Sequence, residues 1–295
     1  MQDVFEVLKY DWSQVVYRYL IVFMFCSLSF LEVSADQWNG ADYAQNSSVQ
    51  LSHAERLLQA MSLQGDERIL DIGCGDGKIT ALLSKMIPQG AVIGIDPSIS
   101  MITKAREILK KRELFNLSFC EGSAEDFSLD EQFDHIMAIH VMHWIKDQEV
   151  ALKNMYDHLK PTGHVHLILA PSKEELPFHK ALQKTCNMWS EDFERFINPQ
   201  QVYDIETYRK LMVAAGFHIE VIHYVYHESI HETKEKLRDW VRQWLPHGKH
   251  LPVAKQDAFL DELINNYMIE AGFSQEISSP VRWGEYVLIM EASRT

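Results

Sequence analysis

Apolar runs alternate with stretches of helical periodicity from about residue 49 to residue 170. The helical stretches begin with residues 49–61, whose apolar positions recur three and four residues apart. The apolar runs are short and bounded by polar or glycine residues, which is typical of buried strands. Strands that alternate with helices predict an α/β protein with a parallel sheet and crossover helices. The five predicted strands are residues 69–72, Ala91–Asp96, Leu117–Glu121, Phe133–Ile139 and 164–169, with a turn at residues 159–163 before the last.

The chain beyond residue 170 has a different pattern. Residues 172–215 are predicted to be helical and are rich in aromatic side chains. A strand pattern follows at residues 218–226, and two further helices are predicted at about residues 232–245 and 253–271. A closing strand is predicted at residues 286–293. This second region therefore contributes helices and at least two more strands.

The stretch most informative about function is residues 69–78, where the first strand runs into the glycine-rich turn Gly-Cys-Gly-Asp-Gly-Lys. In α/β proteins this junction lies at the carboxyl end of a strand, where ligands bind. Gly73, Gly75 and Gly77 lack Cβ atoms, so the turn can bend sharply and a ligand can approach its backbone. The first amides of the following helix are unpaired and point into the same space. The pattern predicts a cofactor site.

The residues around this turn indicate the class of cofactor. A dinucleotide fingerprint would place its third glycine at position 78, which is Lys78. Asp71 lies two residues before the first glycine, where its carboxylate would repel a pyrophosphate and attract an ammonium group. Asp96 ends the second strand, and one carboxylate can accept hydrogen bonds from both hydroxyls of a ribose. A cofactor with an ammonium group and a ribose is therefore favoured.

This turn resembles motif I of class I S-adenosylmethionine-dependent methyltransferases, an acidic residue followed by G-x-G-x-G. The order of the strand patterns agrees with that family, whose Rossmann-like fold is a seven-stranded, mostly parallel sheet with an antiparallel last strand and helical cap insertions. The resemblance implies that S-adenosyl-L-methionine is the cofactor and that the turn after the third strand follows the adenine edge. Many members carry Asp where this chain has Ser123. The predicted cofactor contacts are Asp71, Gly73, Cys74, Gly75, Asp96, Pro97, Ser123, Ala124 and His140.

Other segments resemble one group within that class, the juvenile hormone acid and trans-aconitate methyltransferases. Residues 37–43 and 48–50 are similar to the opening of both enzymes. Residues 142–145, Met-His-Trp-Ile, are similar to their L-H-W-V segment. Residues 195–199 and 208–217 are closer to the juvenile hormone acid branch. The resemblance implies O-methylation of a small carboxylic acid, including lipophilic ones.

That branch places the glutamine and tryptophan that match Gln50 and Trp144 beside the substrate carboxylate. Their amide and indole N–H groups would each donate to one carboxylate oxygen without adding charge. A carboxylate is ionised at pH 7, so it needs no general base, and the enzyme must chiefly supply in-line placement. His143 is the third candidate at this site, either as a structural ring beneath it or as a base.

Two other hypotheses stay open at this point. If the acceptor is a hydroxyl or a carbon atom, His143 or His140 becomes the candidate base. Alternatively, the protein binds the cofactor without catalysis and acts as a partner of another protein. Detection of a methylated product separates the two.

The resemblance divides the chain into three regions. We expect residues 1–36 to be an apolar leader or an N-terminal extension, residues 37–170 to be a core that binds S-adenosylmethionine, and residues 171–295 to form a helical cap and acceptor region with the closing strands of the same sheet. Within the leader, residues 20–31 carry no charge but are shorter than the roughly 20 residues of a membrane-spanning helix, and residues 33–35 fit a small-residue cleavage site. A signal peptide, an anchor and a mis-called start are the open interpretations. Because S-adenosylmethionine is a cytosolic metabolite as a rule, we expect a cytoplasmic enzyme.

The composition indicates which classes of molecule this protein can bind. The chain has 42 acidic and 28 basic residues, a formal net charge of −14. An acidic chain without a long basic run is a poor candidate for binding a phosphate backbone, so we expect a small-molecule acceptor and no nucleic acid. The four cysteines form no C-x-x-C pair, and the histidine pairs lack the spacing of further ligands, so we expect no metal ion.

Overall fold

Seven strands and ten α-helices are present in the residues that the computed structural model describes, which are 38, 48–112, 114–173, 176–273 and 280–294. Residues 1–36, with the predicted leader, lie outside them. The strands are β1 (Arg68–Ile72), β2 (Ala91–Asp96), β3 (Leu117–Glu121), β4 (Phe133–Ile139), β5 (Leu159–Leu169), β6 (Phe217–His231) and β7 (Val281–Arg294). The helices are α1 (Ser48–Ala60), α2 (Lys78–Met86), α3 (Ile99–Arg112), α4 (Gln148–His158), α5 (Pro177–Met188), α6 (Ser190–Phe193), α7 (Ile205–Ala215), α8 (Lys234–Trp244), α9 (Pro246–His250) and α10 (Val253–Glu270).

The strands form one mixed sheet in the order β3-β2-β1-β4-β5-β7-β6. The first five run parallel, and β7 runs antiparallel to both β5 and β6. This arrangement confirms the predicted seven-stranded, mostly parallel sheet with an antiparallel last strand. The order reverses between β1 and β4, so the carboxyl ends of these two strands flank a crevice of the kind in which α/β proteins bind ligands.

Helices cover both faces of the sheet. Helices α1, α2 and α3 bury Leu57, Leu83 and Ile102 against one face, in a cluster that includes Ile69 of β1. Helices α4 and α7 pack on the opposite face. Because strands buried on both faces read as continuous apolar runs, the bounds of β2 and β4 agree with the sequence prediction. The bounds of the edge strand β3, whose buried and exposed residues alternate, agree as well. Among the described residues, no helix is both long and apolar enough to cross a bilayer.

Strand β5 begins earlier than predicted. Leu159 already pairs with Phe133 of β4, and the register then shifts so that His164 pairs with His135. The predicted turn at residues 159–163 is therefore wrong as a strand boundary, because these residues form an irregular first part of β5. Gly163 lies so close to β4 that a Cβ atom there would approach the Phe133 carbonyl oxygen to 2.8 Å.

The last two strands are also longer than predicted. Residues from Leu288 onwards in β7 pair with β5, whereas Val281 to Val287 pair with β6 alone and extend past the end of the parallel strands. Helices α5, α8 and α10 pack against this extension, burying Trp283 in a separate apolar cluster. Gly284 in this extension is typical of a turn rather than a strand, and the strand forms because the cap covers it.

Candidate active site

The turn after β1 adopts the conformation that its glycines permit. Gly73, Gly75 and Gly77 have φ angles of 67°, 54° and 79°, in the left-handed region that side chains disfavour. A Cβ atom on Gly73 would lie 2.2 Å from Cγ2 of Val141. The backbone N–H of Cys74 donates to the carbonyl oxygen of Ile95 over 2.9 Å and ties the turn to β2. The predicted glycine turn is therefore a fixed loop at the carboxyl edge of the sheet.

Two carboxyl groups flank this turn. Asp71 is 3% exposed and accepts a hydrogen bond of 2.7 Å from the hydroxyl of Thr80. Burial raises the pKa of Asp71 to about 7; the nearby charge of Asp96 adds to the rise, and the bond from Thr80 opposes it. Asp96 accepts from the N–H of Gly75 over 3.0 Å and from the N–H of Ser98 over 2.9 Å. One bond to each oxygen orients the Asp96 carboxylate and leaves lone pairs for further donors.

A narrow cleft lies above the turn. It is lined by Gln50, Asp71, Gly73, Cys74 and Asp76, among others, with a volume of about 20 Å³. Asp76 is also buried, and its carboxylate pairs with the Lys78 ammonium at 3.1 Å. A set of carboxylates around a glycine turn suits an ammonium group and hydroxyls and is unsuited to a pyrophosphate.

The other predicted cofactor contacts are Pro97, Ser123, Ala124 and His140, and they do not all lie on the same side of the glycine turn. Pro97 is exposed directly after Asp96. The turn after β3 is joined to Asp96 because Gly122 donates its N–H to the Asp96 carbonyl oxygen over 3.2 Å. In that turn Ala124 is buried, and Ser123 donates its hydroxyl to Asp126 over 2.6 Å. His140 instead lines the larger cavity described next.

A second, larger space of about 260 Å³ opens between the sheet and the cap, and we call it the cap cavity. At the sheet end it is lined by Gln50, His140, His143 and Trp144. Its other walls combine aromatic side chains from α5, α8 and β7 with polar side chains, and Glu285 is the carboxyl group among the described residues that line it. They include Phe178, Trp240, Trp244, Trp283 and Glu285.

Gln50 lines both the cleft and the cap cavity. It lies in the first turn of α1, which packs against α2 and so brings residue 50 to the glycine turn. The structure therefore places the three residues predicted at the acceptor site, Gln50, His143 and Trp144, around one space next to the predicted cofactor turn. Trp144 packs edge-on against Trp38, with 5.2 Å between the ring centroids.

The histidines at the sheet end are held in defined orientations. Nδ1 of His143 accepts a hydrogen bond from the N–H of Ala170 over 3.4 Å, so the neutral ring carries its proton on Nε2. His140 has a φ angle of 58°, which non-glycine residues rarely adopt. Its Nε2 lies 2.7 Å from Nδ1 of His53. Burial lowers the pKa of His143 to about 4 and that of His140 to about 3, so both rings are neutral at pH 7.

Residues 63–216 match the protein family described as a methyltransferase domain, which is just over half of the 295-residue chain. The chain belongs to this family. S-adenosyl-L-methionine is the cofactor of this methyltransferase. The carboxyl groups at the turn fit that cofactor, because Asp71 can accept hydrogen bonds from an ammonium group and Asp96 from ribose hydroxyls.

Individual relatives agree with this assignment. The methyltransferase is 31% identical over 209 residues to juvenile hormone acid O-methyltransferase from Bombyx mori, covering 64% of this chain and 74% of that protein. It is 28% identical over 230 residues to trans-aconitate 2-methyltransferase from Variovorax paradoxus, covering 76% and 86%. Its fold is similar to that of a phosphoethanolamine N-methyltransferase from Haemonchus contortus in complex with S-adenosylhomocysteine. That structure has 17% identity and a TM-score of 0.55, and the match covers 82% of this chain and 52% of that one.

Several residues of this methyltransferase's site were not predicted from sequence. Trp38, Trp283 and Glu285 line the cap cavity, and His53 and His227 lie behind His140, with 4.1 Å between their ring centroids. His53 follows Gln50 by three residues on α1, and that helical spacing was an available signal. Trp38 lies in the segment 37–43 that resembles the opening of the related enzymes, which was a further signal. Nothing local marks Trp283, Glu285 and His227, which reach the site through β7 and β6. In the part of the chain that the structure describes, no group of three or more His, Cys, Asp or Glu residues is arranged to hold a metal ion.

Proposed function

We propose that this methyltransferase transfers the methyl group of S-adenosylmethionine to the carboxylate of a lipophilic carboxylic acid held in the cap cavity. The observation that carries the proposal is the position of Gln50, which lines both the cofactor cleft and the cap cavity beside the neutral donors His143 and Trp144. A carboxylate bound by these donors lies next to the cofactor cleft. The names of the relatives support a carboxylate acceptor, since both describe methylation of carboxylic acids.

The cofactor is assigned to the carboxylates of the glycine turn. Asp71 would hold the ammonium group and Asp96 the ribose hydroxyls, with Gly73, Cys74 and Gly75 forming the backbone surface between them. Pro97, Ser123 and Ala124 continue this surface on the β2–β3 side. When bound, the cofactor supplies an electrophilic methyl group on a sulfonium centre. We assign His140 to the acceptor side instead, because it lines the cap cavity.

The acceptor carboxylate is assigned to three uncharged groups. Gln50, His143 and Trp144 can each donate an N–H without neutralising the nucleophilic oxygen. In-line placement of this kind contributes roughly 7–11 kcal/mol to lowering the barrier of a bimolecular reaction. The surrounding aromatic walls exclude water, and a dry site favours a reaction in which a negative oxygen and a positive sulfur neutralise each other.

The cavity favours a lipophilic acid over a polycarboxylate. Its walls combine tryptophan and phenylalanine side chains with polar ones such as Asn198 and His247, and Glu285 would repel additional negative charges. Lys173 also lines the cavity, and its ammonium lies over the rings of Tyr224 and Tyr286, 4.9 and 4.5 Å from their centroids. The aromatic surface together with Glu285 suits one carboxylate on an apolar chain better than a polycarboxylate.

The histidine geometry argues against a hydroxyl acceptor that needs a base. A base must present a lone pair to the acceptor, but the Nδ1 lone pair of His143 receives the Ala170 N–H. His140 uses Nε2 for its hydrogen bond with His53, and burial lowers its pKa to about 3. A weakly basic, engaged imidazole is a poor proton acceptor for a hydroxyl group.

A methyl-transfer assay on the full chain tests this function. The protein is incubated with methyl-labelled S-adenosylmethionine and either farnesoic acid, trans-aconitate or farnesol. We expect a base-labile labelled product from farnesoic acid, at a higher kcat/KM than from trans-aconitate. Labelled ether from farnesol, or a preference for trans-aconitate, would contradict the proposal.

A further inference from the structure

Glu285 is a carboxyl group in the otherwise mainly aromatic wall of the cap cavity. It lies on β7 two residues after Trp283, and alternation along a strand places both side chains on the same face. Phe178 packs against Trp283, with 4.6 Å between their ring centroids, so aromatic side chains surround this part of the wall. Residues on such a face are expected to be apolar, which makes Glu285 the exception.

One oxygen of this carboxyl group is left unpaired by the described residues. Oε1 of Glu285 is buried without a hydrogen-bond partner among them, and the same is true of the Trp283 indole N–H. Burial raises the pKa of Glu285 to about 7, and the neighbouring Trp283 indole N–H opposes the rise. A buried polar group without a partner destabilises a folded protein, whereas a leucine at this position would not.

Three neighbouring side chains have contacts of their own. His227 pairs directly across from Glu285 on β6, and its Nδ1 lies 3.2 Å from the Arg56 guanidinium. Arg282 lies three residues before Glu285, and its guanidinium is 3.9 Å from the carboxylate of Glu228. The Lys173 ammonium, in the same cavity wall, lies 4.5 Å from the centroid of the Tyr286 ring. Oε1 of Glu285 is therefore an acceptor that no described residue satisfies and that is available to a molecule bound in the cap cavity.

We propose that Glu285 is a specificity-determining residue that binds a hydroxyl group of the acceptor, at the end remote from its carboxylate. This inference rests on the proposed function and deepens it: the preferred acceptor is a hydroxylated lipophilic acid. A hydroxyl both donates and accepts hydrogen bonds, so it matches a carboxyl group whether that group is ionised or protonated. An ammonium group only donates and an ether oxygen only accepts, so each matches one protonation state.

The topology places Glu285 far from the reacting end. Leu288 of β7 pairs with Leu169, the last residue of β5, at the edge where Gln50, His143 and Trp144 gather. Glu285 lies three residues further along β7, which corresponds to about 10 Å at the usual rise of a strand. An extended chain with its carboxylate at the sheet and its hydroxyl in the cap spans this distance.

A matched series of saturated acids tests the inference on the full chain. Octanoic, decanoic and dodecanoic acids are compared with derivatives that carry a hydroxyl, an amine or a methoxy group on the terminal carbon. The readouts are kcat and KM for methyl transfer, and calorimetric affinity for each acid in the presence of S-adenosylhomocysteine. At the best chain length, we expect the hydroxy acid to exceed the unsubstituted acid about tenfold in kcat/KM, chiefly through KM.

Two variants and one control assign the effect to Glu285. Glu285→Leu is expected to reverse the preference in favour of the unsubstituted acid, and Glu285→Gln to keep part of the preference for the hydroxyl. Glu291→Leu removes an acid from the same strand at a position that does not line the cavity, and should leave the preference unchanged. Cofactor affinity should be the same in all three variants, and circular dichroism checks their fold.

The outcomes separate this inference from the proposed function. If acids are methylated with equal preference by the wild type and Glu285→Leu, the inference is overturned and the proposed function stands. A preference for the amine or the methoxy derivative would also overturn the hydroxyl assignment. If no acid is methylated but the hydroxy acid binds in a manner that depends on Glu285, carboxyl methylation fails and the hydroxyl site is supported. Absence of both methylation and binding overturns both.

Discussion

The backbone N–H of Ala170 donates to Nδ1 of His143 over 3.4 Å, and this bond places the ring proton of His143 on Nε2. With its proton on Nε2, His143 presents an N–H for the donor role proposed above. The same contact joins the end of β5 to the short helical turn Met142–Trp144, which also carries Trp144. The orientation of the ring thus follows from the packing of two neighbouring strand ends.

This donor role predicts how substitution of His143 affects methyl transfer. Gln at position 143 retains an N–H donor and should keep kcat/KM within a few-fold of the wild type, whereas His143→Leu should lower it roughly 10- to 100-fold, the usual effect of losing a hydrogen bond to a charged group. Steady-state kinetics measure the difference. If His143 were instead a general base, both variants would be inactive. The wild-type rate would also rise with pH as the ring loses its proton.

Substitution of Asp96 should affect the cofactor selectively. Asp96→Ala removes the acceptor assigned to the ribose hydroxyls and the partner of the Gly75 and Ser98 amides, so we expect the Kd for S-adenosylmethionine to rise at least about tenfold. Calorimetric titration measures the Kd. Asp157→Ala, which removes an exposed carboxylate paired with Lys153, is the matched control and should leave the Kd unchanged. Equal affinity in Asp96→Ala and the control would exclude the ribose assignment.

The protonation of Asp71 predicts a pH dependence. Burial raises its pKa from 3.8 to about 7, so between these values the folded protein holds a proton that the unfolded chain has released. The contribution of Asp71 to stability therefore falls as pH rises through this window. Thermal unfolding of the protein without cofactor should show a smaller loss of Tm across this window in Asp71→Asn than in the wild type.

The same carboxyl group should release its proton when the cofactor binds. An ammonium group beside Asp71 favours the ionised form, so binding below pH 7 displaces a proton to the solvent. Calorimetry in buffers of different ionisation enthalpy counts the protons released. We expect fewer in Asp71→Asn, and an unchanged count would assign the ammonium group to another residue.

The glycine turn predicts a steric effect that can be separated from its backbone strain. Gly73→Ala introduces a Cβ in the left-handed region, and that atom would lie 2.2 Å from Val141. Gly272 has a similar φ of 76°, but a Cβ there meets no atom of the described residues within 4 Å, so it is the matched control. We expect Gly272→Ala to lower the free energy of unfolding by about 1–2 kcal/mol and Gly73→Ala to lower it by a further 1–3 kcal/mol or so. Urea unfolding measures both, and equal losses would show that Val141 moves aside without cost.

Much of the cofactor half of the fold follows from local patterns. Strands β2 and β4 lie inside the sheet and read as apolar runs, whereas the edge strand β3 alternates buried and exposed residues, so each has a recognisable local pattern. The glycines of the turn are needed where the backbone adopts positive φ. The positions of Asp71 and Asp96 at strand ends are local properties too. Parallel strands then bring these ends to one edge.

The acceptor half depended on contacts between distant segments. β7 extends to Val281 because α5, α8 and α10 cover it, and its local sequence, with Gly284, does not indicate a strand. Glu285 reaches the cap cavity through pairing of β7 with β6, and His53 meets His140 across 87 residues of chain.

By itself, the sequence determined the sheet, the glycine turn and the methyltransferase class of this protein, because these rest on apolar periodicity and on backbone conformations that only certain residues adopt. Only the tertiary structure decided which side chains line the cap cavity, which nitrogen of His143 carries the proton and that Oε1 of Glu285 has no partner among the described residues. Burial and hydrogen bonding are properties of a side chain's surroundings, and those surroundings are supplied by residues far away in the chain.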